Sequence, residues 1–431
     1  MMSALGNHIL VEFTGCSPEI MNDVVSIERD MVEAAVKAEM TVINSTFHHF
    51  SPYGVSGVVV VQESHLAIHT WPEYGYAAVD IFTCGDTNTW AAFDYLQEQF
   101  KAKNYSAIEM RRGVINLLER MDFDLSSMRS QASDRVNPGK YTRNVWFTDK
   151  DDNQALSLRY TGEVLFRKES PYQRVSVLDT YAYGKMLTID NMVMCTEKDE
   201  HHYHEMISHP ALLTHPHPKN ILVIGGGDGG TVREILKHNT VEKVTMVEID
   251  ETVIDACKEH LPSIAAEFNN PKLNLIVGDG IEYVKNAKEG EFDLIMVDGS
   301  DPVGPAEGLF STTFYNNCKK ALSNDGILVA QGESPMFNGR VFVELNQCLV
   351  EIFGQEKVNT LLFYIPTYPT GMWSFQVASK GDLSLQKADK NRIKDFADNN
   401  KLFYYNEDIH FAALSMPNFV KNLLAKEAVN A

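Results

Sequence analysis

A glycine-rich turn between two apolar segments is the feature that most constrains the fold of this chain. A continuous apolar run at residues 221–224 leads into three glycines at residues 225–227, and Glu248 ends the next apolar segment about 20 residues later. This order of strand, glycine turn, helix and strand is typical of a mononucleotide-binding βαβ unit. The sequence therefore predicts a parallel α/β sheet with a ribose-bearing ligand at the turn.

An acidic residue, Asp228, lies inside this turn. A dinucleotide would place its pyrophosphate there, against the start of the following helix, and a carboxylate would repel it. A positively charged nucleoside, such as an adenosyl sulfonium, would be attracted instead. We therefore predict a cationic adenosyl ligand at this turn and no NAD.

Charge and cysteine usage narrow the class of protein. The 431 residues carry a formal net charge of -20, which disfavours nucleic acid and anionic membranes and is compatible with cationic ligands. The six cysteines are scattered without a CxxC pair, so neither a disulfide framework nor a metal site is indicated. The N-terminus lacks a basic segment followed by a long apolar one, and we expect a cytoplasmic protein.

The N-terminal block, residues 1–118, contains segments with the apolar periodicity of strands and segments with that of helices. Its pattern predicts one helix over residues 17–39, a second over residues 89–101, and five short strands before and between them. Strands and helices in this proportion predict an α+β sandwich.

The remainder of the chain divides into three segments. Residues 119–141 are rich in Ser, Asp and Arg and contain Pro138-Gly139, which predicts a linker. In residues 142–200, short segments of alternating apolar and polar residues are separated by turn signals, which predicts a small antiparallel β cap. Strands and helices then alternate within residues 201–431, as in a doubly wound α/β sheet.

Acidic residues follow several strands of this predicted sheet. Open α/β sheets bind ligands at the carboxyl ends of their strands, so we expect these side chains to line one crevice. They are Asp228, Glu248, Asp279, Asp298 and Asp301. From the residue types alone, Glu248 suits the two ribose hydroxyls, and Asp279 suits an exocyclic amine or a nearby backbone N–H. This leaves Asp298 and Asp301 for chemistry.

Seven segments of the C-terminal part together resemble the spermidine synthases, which are aminopropyltransferases. They are YQRV (172–175), DNMVMCTEKDEHHYHEM (190–206), GGGDGG (225–230), MVEID (246–250), GDG (278–280), DGSDPVGPAEGLF (298–310) and IPTYPTG (365–371). The resemblance runs from about residue 144 to the C-terminus. It implies a Rossmann-like, methyltransferase-type sheet preceded by a β-hairpin cap.

The same resemblance implies roles for individual residues. Decarboxylated S-adenosylmethionine would be held by Gln173, His204, Asp228, Glu248, Asp279 and Gly280. The amine acceptor would be held by Tyr203, Asp301 and Tyr368, with Pro305 as a further substrate-binding residue. Asp298 would be the general base. His201 departs from the many members with phenylalanine there, which could alter the wall of the acceptor groove.

The chemistry of aminopropyl transfer agrees with these residue types. A primary amine must attack the carbon next to a sulfonium, but an amine with a pKa of about 10 is mostly protonated at neutral pH. A carboxylate such as Asp298 can orient the amine and take its proton, which typically contributes about 10²- to 10⁴-fold in rate.

The N-terminal block resembles a second family, the short prokaryotic S-adenosylmethionine decarboxylases. The matching segments are FHHFSPYGVSG (47–57), QESH (62–65) and LAIHTWPEYGYAAVDIFTCGD (66–86), and the resemblance covers about residues 5–112. In that family the chain cleaves itself between a glutamate and a serine, here Glu63 and Ser64. The serine then becomes a pyruvoyl group, the electrophile that forms a Schiff base with the substrate.

This resemblance also implies roles for the surrounding residues. His69 and Ser56 would take part in self-cleavage, and Cys84 would return a proton to the substrate carbon. Phe50 would stack on an adenine, and Glu73 would hold a ribose or another polar group of the substrate. Decarboxylation of an amino acid needs a carbonyl that accepts electrons, and a pyruvoyl group supplies one. No lysine lies near Ser64 in sequence, so pyridoxal phosphate is not expected. A metal is not expected because the histidines at 48, 49, 65, 201, 202 and 204 lack ordered Cys or acid partners, and NAD is not expected because Asp228 would repel its pyrophosphate.

The product expected of the first half is the substrate expected of the second, which predicts one bifunctional enzyme of polyamine biosynthesis. The first would decarboxylate S-adenosylmethionine, and the second would transfer the aminopropyl group to putrescine, giving spermidine and methylthioadenosine. The resemblances also imply a homo-oligomer, a dimer or larger, with decarboxylase sites formed between protomers.

Three alternatives remain at this stage. The N-terminal half could decarboxylate ornithine or arginine, since pyruvoyl chemistry is indifferent to the side chain of the substrate. The C-terminal half could be a methyltransferase, although the acids at 298 and 301 together with Tyr368 argue for a diamine groove. The N-terminal half could also be a noncatalytic assembly module for an active synthase.

Overall fold

The computed structural model describes residues 4–84, 87–114, 145–150, 155–299, 308–309 and 311–428. The chain divides into two compact units, Met1–Val136 and Asn137–Ala431. The predicted linker, residues 119–141, lies outside the described residues. Across the described ranges, no helix is long and apolar enough to cross a membrane.

The first unit is a six-stranded antiparallel sheet with helices on one face. In chain order its elements are β1 (Ala4–Thr14), α1 (Pro18–Met21), α2 (Val24–Lys37), β2 (Val42–His49), β3 (Val55–Val61), β4 (Ser64–Trp71), β5 (Tyr76–Cys84), α3 (Thr89–Gln99) and β6 (Asn104–Val114). The strand order is β2-β3-β4-β5-β1-β6. Alternate residues such as Ile9, Val11 and Phe13 are buried under the helices, whereas Ala67 and Ala78 on the other face stay partly exposed.

Two details of this unit differ from the sequence prediction. The single helix expected over residues 17–39 is wrong, because α1 ends at Met21 and Asp23 begins a new helix by accepting hydrogen bonds from the backbone N–H groups of Val25 and Ser26. The strand β6 was not predicted. Its residues are mostly exposed on both faces, so it lacks the apolar alternation that marks a half-buried strand.

The second unit begins with a five-stranded antiparallel sheet. Its strands are β7 (Val145–Lys150), β8 (Ala155–Glu169), β9 (Arg174–Thr180), β10 (Gly184–Ile189) and β11 (Met192–Thr196). They lie in the order β11-β10-β9-β8-β7, so each strand pairs with its neighbour in sequence. This sheet is the β cap that the alternating pattern predicts.

A seven-stranded sheet with helices forms the rest of the unit. Its elements are α4 (Glu200–Thr214), β12 (Asn220–Gly225), α5 (Gly230–Leu236), β13 (Lys243–Glu248), α6 (Glu251–His260), β14 (Leu273–Val277), α7 (Gly280–Asn286), β15 (Phe292–Asp298), α8 (Thr312–Ala321), β16 (Leu322–Gln331), α9 (Gly339–Phe353), β17 (Val358–Tyr364), β18 (Met372–Ser379), α10 (Lys390–Asn400), α11 (Glu407–Ala413) and α12 (Asn418–Ala428).

The strand order β14-β13-β12-β15-β16-β18-β17 places the glycine turn at the centre of this sheet. Strands β12 to β16 are parallel, and β18 and β17 add an antiparallel edge. Both faces of β12 are buried, which is why residues 221–224 form a continuous apolar run. The chain turns to opposite sides after β12 and β15, and such a switch point opens a ligand crevice at the carboxyl ends of the strands.

Candidate active sites

A cavity lies at the carboxyl ends of the central strands of the second unit. Each C-terminal site residue predicted from the sequence and described by the structure lines it: Gln173, Tyr203, His204, Asp228, Glu248, Asp279, Gly280, Asp298 and Tyr368. Asp301 and Pro305 lie outside the described residues. His201 does not line this cavity, because its ring packs on Phe403 and its Nε2 contacts Glu200.

The glycine turn is shaped by its contacts with Asp298. A side chain at Gly225 would place its Cβ atom 2.1 Å from the Asp298 carbonyl oxygen, and the φ angle of Gly225 is +83°. The N–H of Gly226 donates to the same carbonyl at 2.9 Å. The absence of side chains therefore allows β12 to turn directly against the end of β15, which brings Asp228 and Asp298 to one cavity.

The Asp298 carboxyl group is buried and accepts two hydroxyl hydrogen bonds. The Tyr203 hydroxyl donates to Oδ1 at 2.8 Å, and the Thr231 hydroxyl donates to Oδ2 at 2.6 Å. Burial raises the pKa of Asp298 above its ordinary value, and the negative charge of Asp228 adds to this effect. A carboxylate with a raised proton affinity and fixed orientation can act as a general base.

Asp228 has the opposite electrostatic environment. Burial opposes its ionisation, but His204, whose Nε2 lies 3.2 Å from Oδ2, and the N–H of Gly230 at 2.8 Å from Oδ1 lower its pKa to about 2. His204 is held in turn by Glu200 at 2.6 Å, and the Glu200 carboxylate pairs with Arg233 at 2.7 Å. Asp228 therefore keeps a negative charge inside the cavity, which suits a cationic ligand.

Glu248 is the last residue of β13, and Asp279 directly precedes α7. Both lie at the edge of the sheet where the cavity opens. Burial raises the pKa of Glu248 to about 7, although its Oε1 accepts a hydrogen bond from the N–H of Asp250 at 2.9 Å. Asp279 caps α7, because its Oδ1 accepts hydrogen bonds from the N–H groups of Ile281 and Glu282. Both carboxyl groups are thus fixed in place by backbone donors.

The two tyrosines at the other side of the cavity already use their hydroxyl groups. Tyr203 donates to Asp298, and Tyr368 donates to the carbonyl oxygen of Met194 at 2.6 Å. Their rings lie 6.0 Å apart between centroids. These phenols therefore present aromatic faces that suit an aliphatic chain, while the hydroxyl of Tyr203 orients the base.

Sequence reasoning missed several residues that position this site. Asp250 caps α6 through Thr252, and its Oδ2 accepts hydrogen bonds from Ser170 at 2.7 Å and from Gln173 at 3.1 Å. It therefore connects the β cap to the sheet. The signal was available, since an Asp two residues after β13 and directly before a helical pattern is a strong helix N-cap. Thr231, Glu200 and Arg233 had no comparable sequence signal, because their contacts are between different elements.

In the first unit, Ser64 begins β4 next to the end of β5. Ser64 pairs with Thr83 in the sheet, and the carbonyl oxygen of Glu63 accepts a hydrogen bond from the N–H of Cys84 at 2.8 Å. The Glu63 carboxylate accepts another from the N–H of Thr41. Ser64 has a φ angle of +150°, which strains the backbone of a residue with a side chain. The Glu63–Ser64 peptide is thus held in a strained conformation beside the exposed Cys84.

The other predicted residues of this site lie at the opposite end of the same strands. Ser56 pairs with His69 between β3 and β4, and Ser56 Oγ is 2.6 Å from His69 Nδ1. Phe50 follows β2, and Glu73 follows β4. Because five residues of extended strand span about 17 Å, one copy of the chain does not bring Ser64 and His69 together.

Comparison with known proteins gives matches to both units. Residues 200–388 match the family model described as spermine/spermidine synthase domain, and residues 145–197 match the spermidine synthase tetramerisation domain. A polyamine aminopropyltransferase of Methanocaldococcus jannaschii is 46% identical over 284 residues, covering 65% of this chain and 96% of the relative. The chain belongs to the polyamine aminopropyltransferase family. Residues 7–113 match the S-adenosylmethionine decarboxylase model, so the chain also contains a domain of that family.

Solved structures show the same likeness in three dimensions. A spermidine synthase crystallised with the transition-state analogue AdoDATO is 34% identical with a TM-score of 0.64, covering 68% of this chain and 99% of the other. A spermidine synthase from Thermotoga maritima is also 34% identical, with a TM-score of 0.62, covering 68% of this chain and 98% of the other. The second unit therefore has the spermidine synthase fold.

Proposed function

We propose that the chain is a bifunctional enzyme of polyamine biosynthesis. It decarboxylates S-adenosylmethionine with its first unit and transfers the aminopropyl group of the product to putrescine with its second, giving spermidine and methylthioadenosine. The observation that carries the proposal is the pair of carboxyl groups in one cavity, with Asp228 held ionised and Asp298 held at a raised pKa. The first suits a sulfonium ligand and the second suits removal of a proton from an amine.

The aminopropyl transfer follows from this arrangement. Asp228 and Glu248 hold the nucleoside, and the faces of Tyr203 and Tyr368 hold the aliphatic diamine. Asp298, oriented by the hydroxyls of Tyr203 and Thr231, takes the proton of the attacking amine. The nitrogen then displaces the thioether at the carbon next to the sulfonium, and the positive charge passes from the sulfur to the new secondary amine.

The residues of the first unit fit the formation of a pyruvoyl group at Ser64. The strained Glu63–Ser64 peptide and the hydrogen bond to its carbonyl oxygen favour attack on that carbonyl. When present, the pyruvoyl group supplies an electron-accepting carbonyl for decarboxylation. Cys84, at the end of β5 beside Ser64, donates a proton to the substrate carbon.

A complete decarboxylase site needs two copies of the chain. Ser64 and Cys84 lie at one end of the sheet, whereas Phe50, Ser56 and His69 lie at the other. A second copy related by a two-fold axis would bring the His69 end of one sheet to the Ser64 end of the other, and the partly exposed face with Ala67 and Ala78 is the surface that such packing would cover. The enzyme is therefore proposed to be a homo-oligomer with shared decarboxylase sites.

The test of the bifunctional assignment is amine analysis after incubating the purified chain with S-adenosylmethionine and putrescine alone. Spermidine is expected to accumulate, and Ser64→Ala is expected to abolish it because no pyruvoyl group can form. The same variant should still make spermidine when decarboxylated S-adenosylmethionine is supplied.

Two other results would redirect the assignment. Release of carbon dioxide from ornithine or arginine, but not from S-adenosylmethionine, would favour the alternative substrates, which the match of residues 7–113 disfavours. An uncleaved wild-type chain with full synthase activity would make the first unit an assembly module.

The amine acceptor is identified in the same assay by replacing putrescine with agmatine or a longer diamine.

Nucleoside binding is expected to weaken as the pH falls below about 7. The pKa of Glu248 is about 7, because burial disfavours its charged form, and only the carboxylate can accept hydrogen bonds from both ribose hydroxyls. Affinity for methylthioadenosine should therefore be greatest above pH 7 and decrease by up to about tenfold per pH unit below it. Calorimetric titration from pH 5.5 to 8.5 measures this, and Glu248→Gln should bind weakly with a flatter pH profile. A pH-independent affinity in the wild type would contradict the role of Glu248.

A further inference from the structure

The Ser64 hydroxyl lies beside the histidine that follows it in sequence. Ser64 Oγ is 3.2 Å from His65 Nδ1. A neutral imidazole with its proton on Nε2 presents the Nδ1 lone pair to this hydroxyl, which is the arrangement that lets a base accept its proton. His69 lies about 17 Å away along β4 in the same chain and contacts Ser56 instead. Within one chain, the base nearest to the attacking oxygen is therefore His65.

The neighbouring groups complete the requirements of an acyl shift. The Glu63 carbonyl oxygen accepts the Cys84 N–H hydrogen bond, which would stabilise the negative charge that develops when a hydroxyl adds to that carbonyl. The strain at Ser64 raises the energy of the uncleaved backbone. His65 is partly buried, and its ring packs against that of Phe82 on β5 at 5.9 Å between centroids.

We infer that His65 is the catalytic base for the first step of self-cleavage, an inference that rests on the proposed decarboxylase function. His65 Nδ1 takes the proton of Ser64 Oγ, and Oγ bonds to the carbonyl carbon of Glu63. The C–N bond between residues 63 and 64 then breaks, and the imidazolium returns the proton to the leaving nitrogen. The product is an ester between Glu63 and the Ser64 side chain with a free amine at residue 64. The step needs neither water nor an oxidant.

The assignment is tested by following self-cleavage of newly translated full-length chain with His65→Asn. Asparagine can keep a hydrogen bond to Ser64 Oγ but is not a base at neutral pH. Intact-mass measurement over time should show cleavage slowed by about 100-fold or more. Hydroxylamine cleaves esters and leaves amides intact, so the uncleaved variant should resist it. Added imidazole should restore cleavage to His65→Gly, which a purely structural role of His65 would not explain.

A neighbouring histidine provides the matched control. His8 on β1 packs on the same Phe82 ring at 5.3 Å between centroids, and His8→Asn should cleave at the wild-type rate. Aminopropyl transfer from supplied decarboxylated S-adenosylmethionine reports in each variant that the second unit is folded, and imidazole rescue of His65→Gly reports that the first unit is folded. Wild-type cleavage in His65→Asn, or accumulation of a hydroxylamine-sensitive ester in it, would overturn the assignment, as would failure of imidazole rescue. A wild-type chain that never cleaves would overturn the decarboxylase function itself.

Discussion

Replacing Asp298 by asparagine is expected to lower kcat for aminopropyl transfer by about 10²- to 10⁴-fold. The amide has nearly the same shape and can still hydrogen-bond to the hydroxyls of Tyr203 and Thr231, but it cannot take a proton from the attacking amine. Nucleoside affinity should change only a few-fold, because Asp228 and Glu248 remain. Steady-state kinetics with supplied decarboxylated S-adenosylmethionine, together with calorimetric binding of methylthioadenosine, separate the two effects.

Thr231→Val is the matched control for this experiment. It removes one hydrogen bond to Asp298 and keeps both the carboxylate and the shape of the side chain. Its loss in kcat should be about 10- to 150-fold, the size of one hydrogen bond to a charged group, and smaller than the loss in Asp298→Asn. Near-normal turnover in Asp298→Asn would show that another group accepts the proton, and an equal loss in both variants would point to geometry instead of proton transfer.

Two inactive variants of the decarboxylase unit are expected to rescue each other when they are co-expressed. Ser64→Ala lacks the cleavable serine. His69→Ala lacks the histidine at the other end of the sheet, which the family resemblance makes the base of the β-elimination that follows ester formation. In a mixed two-fold dimer, one site contains both substitutions and the other contains neither. With equal expression, roughly half of the His69→Ala chains should therefore become cleavable, from almost none when that variant is alone. Mass spectrometry distinguishes the two chains and counts the cleaved fraction.

The control for rescue is co-expression of two variants from the same end of the sheet. Ser56 and His69 contact each other and therefore belong to the same half of a shared site. A mixed dimer of Ser56→Ala and His69→Ala thus contains one defect at every site. Cleavage should then stay at the level of the single variants. If His69→Ala cleaves normally alone, or is not rescued by Ser64→Ala, the proposal of a site shared between two copies is wrong.

Much of the synthase cavity could be predicted because parallel strands impose a simple rule. Residues at the carboxyl ends of β12, β13 and β15 must meet at one edge, so Asp228, Glu248 and Asp298 could be grouped from the sequence pattern. Gln173 and Tyr203 came from resemblance, since they reach the cavity from the β cap and from α4. Asp301 stays a prediction, because it lies outside the described residues.

Contacts between elements could not be predicted from periodicity. Thr231 lies in the first turn of α5, and Arg233 reaches Glu200 on α4, which only the packing of the two helices reveals. The break in the first helix depends on Asp23, whose side chain competes locally for backbone N–H groups. In the decarboxylase unit, the family resemblance assigns Ser64 and His69 to one site, whereas the extended conformation of β4 separates them within one chain.

The position of the Glu63–Ser64 bond determines which parts of the first unit stay covalently joined to the second unit after cleavage. The bond lies in the short connection between β3 and β4, so cleavage would divide the first unit into a fragment ending at Glu63 and one running from residue 64 to the C-terminus. Strands β1, β2 and β3 and helices α1 and α2 would then lose their covalent link to the synthase. The β3–β4 and β1–β5 ladders and the shared apolar core would retain them. The mature enzyme would thus be a complex of two polypeptides from a single gene, and a denaturant should release the smaller one.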